Sequence, residues 1–136
     1  MLNYKIRYIE YCGRIDDFVF DFDKNLSLLS TFLSSDVTAF EDWIKSDFDE
    51  VLSGKCASKE FFGNVCGVEI TLDTTKIYDN LTDDDEEYNN TCCKVDTRDL
   101  RKIIDDWCSE LKKFKEMKNS SKNKTTTFLN VKLTTE

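Results

Sequence analysis

The chain has 136 residues, 40% of them hydrophobic and 12% aromatic, enough apolar material for one packed domain and too much for global disorder. Its 27 acidic residues outnumber 19 basic ones, and it contains no histidine. That removes the side chain best suited to moving protons near neutral pH and excludes any Ser-His-Asp or Cys-His pair.

The acid is unevenly placed. Residues 1–96 carry 21 Asp and Glu against 9 Lys and Arg, a net of −12, whereas residues 97–136 carry 6 against 10, a net of +4. The densest run is Asp83, Asp84, Asp85, Glu86 and Glu87, with Asp79 just before it. A compact acidic surface of this kind attracts and covers basic partners and repels nucleic-acid phosphate.

In chain order, Asn3 to Glu10 alternates around Tyr4, Ile6 and Tyr8, and Phe18, Phe20 and Phe22 share one face of a second strand. Cys12-Gly13-Arg14 and Asp16-Asp17 supply the turn of a hairpin. Two helices follow. Leu26, Leu29 and Leu33 form one apolar stripe with Phe32 beside it. Thr38 and Glu41 are spaced for a capping box opening a second helix, whose apolar positions are Phe40, Trp43, Ile44, Phe48, Val51 and Leu52. Glu41, Asp42, Asp47, Asp49 and Glu50 are expected on its solvent side, and Gly54 as its left-handed stop.

The middle returns to strand. After Phe61-Phe62-Gly63-Asn64, residues Val65 to Leu72 alternate, and Thr74 to Tyr78 continue past a turn at Asp73. Asp79 to Asn90 has no periodicity and reads as a solvated acidic loop before a short strand, Thr91 to Val95. Asp96 or Thr97 can cap the clearest helix, built on Leu100, Ile103, Ile104, Trp107, Leu111 and Phe114, with Lys112, Lys113 and Lys115 at its negative end. The expectation is an α+β fold: a mostly antiparallel sheet of about five strands with two to three helices on it, in β-β-α-α-β-β-β-α order. One domain spans residues 1–118, and residues 119–136 are expected to be a polar, flexible tail.

Chemistry-bearing motifs are scarce. Four glycines form no phosphate-binding loop, and Gly63-Asn64-Val65-Cys66-Gly67 reads as a turn entering a strand. The six cysteines lack the Cys-x₂₋₄-Cys spacing of structural zinc sites, and adjacent Cys92 and Cys93 in a strand point to opposite faces, one thiol buried and one exposed. Residues 79–87 lack the order of a calcium loop. Trp43 and Trp107 are expected in the core. No stretch approaches the ~18 apolar residues of a membrane span, and the amino terminus lacks the apolar region of an export signal. The expected protein is cytoplasmic and non-enzymatic, with no cofactor, no metal, no membrane contact and no direct nucleic-acid contact.

Phe62-Gly63-Asn64-Val65-Cys66-Gly67-Val68-Glu69-Ile70, then Thr75-Lys76-Ile77, then the acidic insertion, then Val95-Asp96-Thr97-Arg98-Asp99-Leu100 leading into Ile103-Ile104-Asp105-Asp106-Trp107, resembles the small bacterial immunity proteins that accompany polymorphic toxins, including those of contact-dependent growth inhibition. The resemblance covers residues 45–115 and implies a cytoplasmic protein that blocks a cognate toxin domain, often a basic nuclease. Asp79, Asp83, Asp84, Asp85, Glu86 and Glu87, with Asp42 and Asp47 on the second helix, are the candidate contact residues. The rival expectation is a phage- or plasmid-encoded regulator that mimics nucleic acid.

Overall fold

The computed structural model describes residues 2–79 and 92–127, with side chains as far as Lys118. Strands β1 (Lys5–Tyr11) and β2 (Arg14–Asp21) pair antiparallel as a hairpin. Its turn is the two-residue Cys12-Gly13, with φ of 51° and 77°, the doubly positive conformation that matches strand twist. Asp16 and Asp17 therefore belong to β2 rather than to the turn.

A 3₁₀ turn (Lys24–Leu26) leads into α1 (Leu28–Thr31), a π-helical stretch (Phe32–Val37) and α2 (Thr38–Leu52), which follow one another without a loop and kink at Phe40, where the backbone leaves the helical region. The expected capping box does not form. Because the helix continues through Val37, the backbone amides at Thr38 are already used, and the Thr38 hydroxyl donates to the Leu33 carbonyl at 3.0 Å. Gly54 does end the segment with φ +84°, and the Lys55 amide reaches back to the Glu50 carbonyl at 2.9 Å.

The second sheet has four antiparallel strands in sequence order: β3 (Ser58–Phe62), β4 (Cys66–Thr71), β5 (Thr74–Asp79) and β6 (Cys93–Asp96). The chain is α+β as expected, but with six strands in two sheets rather than about five in one. The additional strand is β3, whose single buried side chain, Phe61, gives too weak an alternation to be read as a strand. The last helix, α3 (Thr97–Thr127), stays helical past Lys118, through the Asn/Ser/Lys/Thr-rich stretch assigned to the tail.

The start of α3 is tied down twice. Asp96 Oδ1 accepts the Asp99 amide at 2.9 Å, a side-chain cap. The buried Thr97 hydroxyl lies 2.7 Å from the Thr71 carbonyl and 2.8 Å from the Thr75 hydroxyl, joining the helix to the sheet.

The helices bury one face of the four-stranded sheet, with Val68, Ile70, Ile77 and Val95 beneath Phe32, Leu33, Ile44, Phe48, Leu100 and Ile104. The hairpin closes the far side of α3. Phe18 packs at a tilt and Phe20 edge-on against Trp107, at centroid distances of 4.8 and 5.1 Å. Trp107 is buried as expected, its indole N–H donating to Thr38 Oγ1 at 3.0 Å. Cys93 is buried at the start of β6 while Cys92 is half-buried beside it, in keeping with thiols on opposite faces. Among the described residues, no helix is long and apolar enough to cross a membrane.

Candidate binding surface

The eight acids singled out in the sequence divide into three groups. Asp83 to Glu87 lie outside the described residues. Asp79 closes β5, half-buried and paired in register with Cys66. Asp42 and Asp47 sit on α2 but in different surroundings, so they are not equivalent.

Asp47 is only 7% exposed. Its carboxylate is 3.7 Å from Lys59 Nζ, which also bridges Glu50 at 3.0 Å. Its burial follows from position: Ile44, Asp47, Phe48 and Val51 are the buried stripe of α2, spaced at i, i+3, i+4 and i+7. Asp42 is exposed, with no ion pair or hydrogen bond among the described residues.

Around Asp42, α2 carries a surface of carboxylates threaded by three cations. Lys45 bridges Glu41 at 2.8 Å and approaches Asp105 of α3 at 3.8 Å. Arg101 grips Asp49 at 2.8 Å and Asp105 at 2.7 Å, tying α3 to α2. These hydrogen bonds shift titration in the expected sense: Lys45 lowers Glu41, and Lys59 lowers Glu50. A shallow open depression of about 540 Å³ lies here, lined by Asp42, Lys45, Ser46, Asp49 and Arg101 among others. Its lining side chains are all polar or charged. Among the described residues, no group of three or more Cys, Asp or Glu side chains is arranged to hold a metal ion.

Trp43 corrects the sequence expectation. It is 44% exposed rather than in the core, because Trp43 flanks the buried stripe and Asp47 occupies the position on it. Its ring leans on Phe40 and Phe61, each at a centroid distance of 5.3 Å. A second exposed aromatic, Phe62, is 55% exposed on the outer face of the sheet and meets Tyr78 edge-on. Tyr78 lies directly over Gly67, where an added Cβ would clash with the ring.

Sequence reasoning missed Asp36. It is fully buried in the π-helical stretch, and its carboxylate accepts the amides of Asn64, Val65 and Cys66 at 2.8, 3.1 and 2.9 Å. This fixes the β3–β4 turn through the Gly63-Asn64-Val65-Cys66 motif. The available signal was spacing, since Asp36 lies three residues after Leu33 and seven after Leu29 on the apolar stripe. Its neighbour Cys66 has a thiol pushed well above the ordinary range, first by burial and then by the Asp36 charge.

No protein-family model and no solved structure matches the chain. A Bacillus cereus protein named "Immunity protein" is 38% identical over 96 residues, which make up 71% of this chain and 80% of that protein. An identity of this size over most of both chains places them in one family, and the chain belongs to the immunity-protein family represented by that relative.

Proposed function

We propose that the chain binds a cognate toxin, a basic nuclease domain of the polymorphic or contact-dependent type, and neutralises it in the cytoplasm by covering its active site or substrate cleft. It does so by occupancy and without chemistry of its own. The observation that carries this reading is the concentration of acid, a net of −12 within residues 1–96. A nuclease cleft is built to attract phosphate, and an acidic surface competes for the same field.

In this reading Asp79, Asp83, Asp84, Asp85, Glu86, Glu87 and Asp42 make the charged contact. Asp47 acts from beneath it, setting Lys59 in place on β3. The name of the Bacillus cereus relative supports a protective role, and the charge supports a basic partner.

The test is co-purification with the C-terminal domain of the toxin encoded beside this chain, followed by association kinetics across a salt series. Reversing the charges of Asp83 to Glu87 slows association by about tenfold or more at low salt and flattens the salt dependence. Unchanged kinetics remove those residues from the contact.

A further inference from the structure

The two tryptophans are treated oppositely by the fold. Trp107 is 3% exposed with its N–H satisfied by Thr38. Trp43 is left 44% exposed, although its ring is well supported from below. Phe40 meets it edge-on at 79°, and Phe61, itself 5% exposed, meets it at a 50° tilt. The backbone leaves the helical region at Phe40, with φ −128° and ψ 39°, three residues before Trp43. An indole braced by two rings and open on its outer side is pre-ordered for burial against another surface, so little rotamer freedom remains to be lost on contact.

The charge around it selects the occupant. Asp42, next in the chain, is exposed and unpaired among the described residues. Of the five carboxylates on α2, Asp47 is buried and Glu41, Asp49 and Glu50 pair with Lys45, Arg101 and Lys59, so acid outnumbers base there and Asp42 carries the charge left without an ion pair among the described residues. A large aromatic centre with an acidic rim complements a basic surface with an apolar recess and disfavours a second copy of this acidic chain.

We infer that Trp43 is the anchor of the toxin contact, inserted into an apolar recess on the basic face of the toxin domain, with Asp42 steering the approach. The inference rests on the toxin-neutralising reading and divides its kinetics. Carboxylates govern how fast the partners meet, and Trp43 governs how long they stay together.

The test incorporates 5-fluorotryptophan into this chain and follows its two fluorine resonances, assigned with Trp43→Phe, while unlabelled toxin domain is added. The Trp43 resonance shifts and loses its solvent isotope effect on binding, and the Trp107 resonance does not. In parallel, Trp43→Ala raises the dissociation rate about thirtyfold or more with association within about threefold, while Asp42→Asn slows association. Thermal unfolding of each variant alone shows that the fold is kept, and Trp43→Phe, which preserves the ring support, keeps most of the affinity. A Trp43 resonance unmoved in a formed complex overturns the inference and leaves the toxin-neutralising reading standing. A shift that depends on this chain's own concentration without toxin makes the occupant a second copy and also overturns it. Absence of any complex with the wild-type chain overturns both.

Discussion

Asp36 and Gly63 interlock: a Cβ added at Gly63 would stand 2.5 Å from the Asp36 carboxyl carbon. The missing side chain lets the buried carboxylate approach the turn closely enough to collect the amides of Asn64, Val65 and Cys66. The most recognisable sequence motif of the chain is thus a structural joint between the helical layer and the sheet.

Removing either half of that joint destabilises the fold. Asp36→Ala leaves the buried Cys66 amide and the part-buried amides of Asn64 and Val65 without their acceptor and costs about 2–4 kcal/mol. Asp36→Asn keeps one acceptor oxygen and costs less. Gly63→Ala forces helix and turn apart, at about 1–3 kcal/mol. Urea unfolding measures all three, and an Asp36→Ala loss below about 1 kcal/mol contradicts the assignment.

Three buried thiols make stability fall in alkali. Burial pushes Cys93 and Cys108 up to about 11 and raises Cys66 further. Unfolded thiols ionise from about pH 8.5 upwards, so between there and pH 11 the unfolded state binds fewer protons and is favoured. The stabilisation is complete below that window and is lost across it, at up to about 1.4 kcal/mol per pH unit for each thiol. Tyr4, raised to about 12 by burial and by its hydrogen bond to Asp106, adds to the slope above pH 10. Thermal melts from pH 7 to 11 should show the decline, and Cys93→Ala should flatten it. A thiol reagent at pH 7.5 should label Cys12 and leave Cys66, Cys93 and Cys108 untouched until the chain unfolds.

Asp42 and Asp47 separate in a paired experiment. Asp42→Lys should slow toxin association and leave stability within about 0.5 kcal/mol. Asp47→Asn should lower stability by about 1 kcal/mol or less, through its half-screened pairing with Lys59, and change association little. The reverse pattern contradicts the surroundings described for the two carboxylates.

Much of the fold was legible because it rests on periodicity. The hairpin, the apolar stripe of α3, its Asp96 cap and the Gly54 stop all follow from spacing and turn chemistry. Three differences, at Trp43, Asp47 and Asp36, share one cause, residue type weighed above position. Apolar character alone puts Trp43 inside and charge alone puts Asp47 outside, whereas the i, i+3, i+4, i+7 spacing from Ile44 buries Asp47. Asp36 was passed over on an apolar stripe for the same reason. The capping box failed differently, because Thr38 and Glu41 have the right spacing but no helix begins there. Of the candidate contact residues, Asp42, Asp47 and Asp79 fall within the described residues.

Neutralisation of a basic toxin domain by simple coverage, as proposed, requires one chain for each toxin domain. The decisive measurement is the activity of a basic toxin domain from a neighbouring gene, titrated with purified chain at low and high salt. Activity should be lost stoichiometrically, with an association rate about tenfold or more faster at low salt. Full toxin activity in the presence of excess chain, with no complex formed at either salt concentration, would contradict it.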